Sequence, residues 1–348
     1  MTTETMHPAS SKASPATQRV VLDDEAEVRL DRWFKRHYPA LTHGELQKAL
    51  RSGQIRLEGK KTEASARLQA GQTLRLPPWL RDKTAAAVKA EGGKKPIRNP
   101  EKLKSMVLFE DKDVVALNKP AGLAVQGGTG LKENLDDSLM VFSPDEQSRP
   151  KLVHRLDRDT SGVLMIARTP LAATRLAASF RERSTQKIYW AITCGVPERS
   201  SGRIDAPLIK KGQIMHVAQD DELEEAQSAA TLYKVVEAVG KKMAFVALWP
   251  LTGRTHQLRV HLAHLGTPIW GDPLYGESAS ATALDDEKEA AFSGLGLGSG
   301  LHLHARRLII PHPRKGMIDV TAPLGPQMRH TWRSLGFSDK AKVSFDDV

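Results

Sequence analysis

The spacing of apolar positions divides this chain into stretches of different period. In EVRLDRWFKRHY, residues 27–38, Leu30, Trp33 and Phe34 fall at i, i+3 and i+4, one face of a helix. Arg29, Arg32, Lys35 and Arg36 occupy much of the remaining surface. LTHGELQKALRSG, residues 41–53, predicts a second helix. Thr42 is placed to cap it, Glu45 three residues later completes a capping box, and Gly53 closes it. Strand-like pieces follow around Ile55–Leu57 and Thr73–Leu76, separated by turn residues. Residues 79–103, with a run of alanines and two prolines, keep no period and read as a linker.

From residue 104 the pattern changes. KSMVLFEDKDVVALNKPAG holds two short apolar runs around EDKD, a hairpin signal. LVHRLDRDTSGVLMIART reads as strand, polar turn and strand, after which Thr169 caps a helix with Pro170 at its first position. QKIYWAITCGV, AATLYKVVEAV and MAFVALWPL are β-rich. In TGRTHQLRVHLAHLG, Leu258, Leu262 and Leu265 sit at i, i+4 and i+7 before Gly266, which predicts a helix. Residues 277–300, acidic and then GLGLGSG, read as a loop insertion. The expected class is α+β: a disordered tail over 1–17, a small α+β unit over 18–78, the linker, a mixed and mostly antiparallel domain over 104–338 with helices and loops around a central cleft, and a tail over 339–348.

Charge adds a partner. The net charge is +10 over 348 residues. Residues 1–104 hold 21 Lys and Arg against 12 Asp and Glu, while the remainder is nearly balanced. Positive charge gathered in one terminal segment suits a polyanion, though it also serves solubility. Cys194 is the only cysteine, which rules out an intramolecular disulfide and suits a reducing cytoplasm. No apolar run approaches the roughly 20 residues needed to span a bilayer. The polar N-terminus does not read as a secretory signal. A monomer is the default expectation.

Four polar clusters interrupt the apolar strands: NKPAG (118–122), HRLDRDTSG (154–162), QKIYW (186–190) and GRTHQLR (253–259). Asp157 lies between two runs that both look buried, where a carboxylate needs a counter-charge or several donors. It could equally cap a turn, as could Asp159 and Thr160. His256, His261 and His264 on the predicted helix, with His302 and His304 later, raise a metal site. No HExxH arrangement supports one.

Taken together and in order, these clusters resemble the RluA-type RNA pseudouridine synthases. HRLDRDTSG carries that family's signature from His154 to Gly162, and GRTHQLR its second from Gly253 to Arg259. Lys187 and Tyr189 supply the Lys-x-Tyr element, and the LHA and HP pieces stand at 303–305 and 312–313. The resemblance spans about residues 105–325. HRLDRDTSGVL and GGTG (127–130) look closest to the RluC subgroup, which modifies large-subunit ribosomal RNA. Gln126 departs from that subgroup, which usually has His there, and GDPLYG (271–276) is nearer the general family form. RLDRWF, ALRSGQIRLEGK and LQAGQTLRL are similar to the αL RNA-binding domain first seen in a small-subunit ribosomal protein.

The resemblance implies isomerisation of uridine to pseudouridine in RNA, with no cofactor. It makes Asp157 the catalytic carboxylate, Arg259 its ion-pair partner and Tyr189 the ring that stacks on a flipped uracil. Arg155 becomes the wedge that fills the vacated stack, with a salt bridge to a neighbouring carboxylate as its bland alternative. Leu258 becomes a wall of the base pocket, unless it is an ordinary core leucine. His154, Lys187, Lys119 and Arg254, with Arg29 and Arg32 on the first helix, are the further RNA-contacting candidates. The competing expectations are a synthase acting on transfer RNA, a non-catalytic RNA-binding protein of ribosome assembly, and a zinc hydrolase.

Overall fold

The computed structural model describes residues 17–22, 25–83, 100–127, 134–143, 149–182, 184–212, 214–276 and 297–348. The chain forms two compact units, Met1–Lys94 and Lys95–Val348.

In the first unit, α1 (Leu30–His37) and α2 (His43–Arg51) pack with β1 (Thr17–Val20), β2 (Arg56–Leu57) and β3 (Thr73–Leu76). The capping box forms as expected: Thr42 Oγ1 accepts the Glu45 N–H, and Glu45 accepts the Thr42 N–H. Leu30, Trp33 and Phe34 enter one core with Leu46, Leu50, Ile55, Leu68 and Leu74. The sheet order is β1-β3-β2, with Thr17 opposite Leu76. Thr17 therefore begins a strand, and the rest of the expected N-terminal tail lies outside the described residues. The expected linker also starts later. Pro78–Lys83 is a 3-10 helix whose Leu80 is buried in this core, because an apolar side chain four residues past a strand still reaches it. Residues 84–99 lie outside the described residues.

The second unit opens with α3 (Pro100–Lys104), whose Leu103 is fully buried. Among the described residues its sheet has ten strands: β4 (Val107–Glu110), β5 (Val114–Lys119), β6 (Lys151–Leu152), β7 (Ser161–Ala167), β8 (Gln186–Cys194), β9 (Ser201–Asp205), β12 (Ala230–Val239), β13 (Met243–Pro250), β14 (Leu303–Pro311) and β15 (Met317–Thr321). A separate hairpin joins β10 (Leu208–Lys211) to β11 (Ile214–Val217). The main order is β4-β5-β7-β14-β8-β13-β12-β9. β7 and β14 run parallel, and every other pairing among the described strands is antiparallel. Helix α4 (Pro170–Arg181) starts at Thr169, whose hydroxyl accepts the Ala172 N–H.

Alternation along β8 and β13 sends side chains to two cores. Trp190, Phe245 and Ala247 meet Trp332 of α6 (Pro326–Ser334) on one face. Ala191, Val246 and Leu248 meet Leu258 and Leu262 of α5 (Gln257–His264) on the other. The expected C-terminal tail is instead part of the first of these cores. Phe345 is buried and stacks edge-on to Trp249 at 5.9 Å, and Lys234 pairs with Asp347 at 2.8 Å. Of the expected insertion, 277–296 lies outside the described residues. Its end is tied down, with the Gly298 carbonyl accepting the Trp270 indole N–H at 3.1 Å.

Candidate active site

Main-chain register brings the two sharpest motifs together. Ala305 of β14 sits opposite Gly162 of β7 on one side and opposite Tyr189 of β8 on the other. The turn that carries Asp157 runs into β7 just before this Gly162, so Asp157 and Tyr189 are brought to one level of the sheet. Gly162 is obligatory here. Its φ is +112°, and a Cβ would lie 2.2 Å from the Ala305 carbonyl oxygen.

Above this level is a cavity of about 560 Å³. Its walls include Arg155, Asp157, Lys187, Tyr189, Arg254, Leu258 and Arg259, drawn from the β6–β7 loop, β8, the loop after β13, and α5. Seven of the candidate residues thus converge, and His154 lines the same cavity. Asp157 is partly exposed and Arg155 is exposed. Leu258 is buried against Tyr189 in one core. Burial, and then the nearby Asp157 carboxylate, push the Tyr189 phenol well above its ordinary range, so it stays protonated.

Three expectations need correcting. Arg259 does not pair with Asp157. Its guanidinium forks onto Asp272, Nε to Oδ2 at 2.7 Å and Nη2 to Oδ1 at 2.6 Å, and lies 5.0 Å over the Tyr275 ring. The physical reason is burial: Arg259 and Asp272 are 5% and 0% exposed, so each needs the other's charge more than the partly exposed Asp157 does. Lys119 does not face RNA. It is fully buried, and its Nζ donates to the carbonyls of Pro120, Leu123 and Arg158, each at 2.9 Å. It therefore pins the loop that carries Asp157. Burial pulls its pKa down to about 8, against the raising fields of Asp159 and Asp157. His154 is a turn anchor. Its Nε2 accepts the Met165 N–H at 2.8 Å and its ring stacks on Phe180 at 4.4 Å, while burial holds its pKa near about 3. Arg29 is the residue before α1, forked onto Asp31 at 2.7 and 3.2 Å, and it is exposed, as are Arg32, Lys35 and Arg36.

The loop before α5 is held by Gln257. Its Oε1 accepts from the Thr252 hydroxyl and the Arg254 N–H, and its Nε2 donates to the Ala230 carbonyl and to Thr231 Oγ1. Arg254 also donates from Nε to the Ser228 carbonyl at 3.0 Å. His256 follows at φ +53°, a left-handed conformation for a residue with a Cβ, and its Nε2 lies 3.9 Å from Asp157 Oδ2. Asp272, Tyr275 and Gln257 were not singled out from the sequence. A buried-looking Asp in GDPLYG beside a clean Arg-bearing motif was the available signal. His302 and His304 use their ring nitrogens within the protein, His302 on the Gly300 carbonyl and Thr331, His304 on Ser161 and the Ala322 carbonyl.

Asp111, Asp113 and His312 bring three ligand-type atoms together, but Asp113 is forked by Arg314 and Asp111 is bonded to His312. Among the described residues, no helix is long and apolar enough to cross a membrane.

Residues 113–264 match the family model described as RNA pseudouridylate synthase. The chain is 36% identical over 262 residues to Ribosomal large subunit pseudouridine synthase C of Rickettsia conorii, covering 71% of this chain and 82% of that protein. It is 32% identical over 320 residues to the Vibrio vulnificus protein of the same name, covering 90% and 94%. Among solved structures, Human RNA Pseudouridylate Synthase Domain Containing 4 superposes with a TM-score of 0.55 at 31% identity, over 68% of this chain and 95% of that one.

Proposed function

The chain belongs to the RNA pseudouridylate synthase family, and from that premise we propose that it isomerises uridine to pseudouridine in large-subunit ribosomal RNA. The observation that carries the reading is the convergence of Asp157, Tyr189, Leu258 and Arg155 on one cavity from three separate segments. The large subunit is favoured over transfer RNA by the names of the relatives that span most of this chain.

The reaction breaks the N1–C1′ bond, turns the uracil and joins C5 to C1′. N1 ends with a proton and C5 loses one, so nothing is added from outside. Asp157, partly exposed, acts on the nucleoside. Tyr189, held protonated, lies against the base plane, and Leu258 supplies the apolar wall. Taking a base from its stack costs on the order of a few kcal/mol, and the exposed Arg155 fills the vacated place. Arg259 acts on Asp157 through its field rather than by a direct pair, because its fork is held by Asp272. Lys187 and Arg254 contact the RNA backbone from the cavity wall. The first unit docks RNA by the exposed Arg32, Lys35 and Arg36 of α1.

Release of tritium from ribosomal RNA carrying uridine tritiated at C5 tests this. The full-length protein should release tritium in proportion to pseudouridine formed. No release from large-subunit RNA, with release from transfer RNA, would move the substrate and keep the chemistry.

A further inference from the structure

The Tyr275 hydroxyl accepts the Met215 N–H at 3.2 Å and lies 2.9 Å from His256 Nδ1. A phenol has one hydrogen. Tyr275 is buried, and among the described residues no other acceptor lies within hydrogen-bond distance of that hydroxyl. The hydroxyl therefore donates to Nδ1, which must carry a lone pair. A neutral imidazole then holds its proton on Nε2. Nε2 is the ring nitrogen that faces Asp157, 3.9 Å from Oδ2. With the opposite tautomer, the Tyr275 hydrogen would have no acceptor and a lone pair would face a carboxylate.

We propose that His256 is a positioning residue for Asp157, locked as the Nε2–H tautomer by a relay that runs from Met215 of β11 through Tyr275. The inference rests on Asp157 being the reacting carboxylate. With Arg259 held by Asp272, His256 supplies the nearest basic nitrogen to Asp157 among the described residues. Closing 3.9 Å to hydrogen-bond length takes a shift of about 1 Å, which a partly exposed Asp side chain can make when RNA enters. Donation to Oδ2 then leaves Oδ1 turned toward the nucleoside. The charged groups around His256 are Asp157 and Arg155 from the β6–β7 loop, Arg259 of its own helix, and Asp272 from the turn that bears Tyr275. Burial outweighs the two carboxylates and holds the ring neutral. The left-handed backbone of His256 is strain of the kind found where a side chain must be aimed.

Nitrogen-15 correlation spectra of the full-length protein read the tautomer directly. Wild type should show His256 protonated at Nε2, and Tyr275→Phe should shift population toward Nδ1–H. In turnover assays His256→Asn, which tolerates the left-handed backbone but is too short to reach Asp157, should lose about 10–100-fold in kcat, the equivalent of one hydrogen bond to a charged group. His256→Gln, whose amide N–H comes near the Nε2 position, should recover much of that loss with KM little changed. A structural role alone predicts no such recovery. An Nδ1–H wild type, or Gln no better than Asn in folded protein, overturns the proposal. A wild type that turns over while showing the wrong tautomer removes the relay and keeps the Asp157 reading. A wild type with no turnover removes the Asp157 reading and the positioning role with it.

Discussion

Asp272→Asn and Arg259→Met, alone and combined, probe the pair that displaced the expected Asp157 contact. Breaking a buried ion pair by removing one partner costs about 3–5 kcal/mol, because the remaining charge stays buried without its counter-ion. Asn at 272 keeps an oxygen for the backbone N–H groups of Leu274 and Tyr275, which Asp272 Oδ1 accepts at 2.9 and 3.1 Å. Its loss is then confined to the Nε bond to Oδ2 and to the charge that pairs with Arg259, and about 3 kcal/mol is expected. Met at 259 fills similar space and leaves the Asp272 carboxylate unpaired, for a comparable loss. In the double variant no orphan charge remains, so the single losses should not add. The coupling energy should be about 2–3 kcal/mol. Urea unfolding of the four proteins measures it. Coupling below about 0.5 kcal/mol would show that the fork contributes little and that Arg259 is free to pair elsewhere.

Three further outcomes follow from the same coordinates. Gly162→Ala places a Cβ against the Ala305 carbonyl at a positive φ, so thermal unfolding should report a loss of about 3 kcal/mol or more, and a wild-type melting temperature would refute the register described. Burial lowers the pKa of His154 to about 3 and of His261 and His304 to about 4, whereas the unfolded chain takes up these protons near 6.5. Their stabilisation is therefore complete above about pH 6.5 and is lost as pH falls toward 4, so urea midpoints that do not drop from pH 7.5 to pH 5 would contradict it. Replacing Arg32, Lys35 and Arg36 together by Ala should lower the log–log salt slope of RNA binding by about 2–3, and an unchanged slope would place the docking surface elsewhere.

Local signals were legible in the sequence. The Thr42–Glu45 box and the Thr169 cap each depend on groups three residues apart, and both form. The cavity residues were legible because their motifs are contiguous runs. What was not legible depends on long-range burial. β1 is a strand because it pairs with β3, more than fifty residues later. Phe345 is core because Trp249 is beside it, not because of its neighbours in sequence. Lys119 reads as a surface cation until three carbonyls are folded around its ammonium. Arg259 has two carboxylates to choose between, and the choice falls to the one with no access to water. Composition cannot rank such a competition.

If Asp157 is the carboxylate that isomerises uridine in ribosomal RNA, its loss removes particular pseudouridines. Pseudouridine mapping by carbodiimide labelling and primer extension tests it, in cells lacking this gene and complemented with wild type or with Asp157→Ala. Particular large-subunit sites should disappear in cells lacking the gene, return with the wild-type copy and stay absent with Asp157→Ala. Sites restored equally by the Asp157→Ala copy would contradict it.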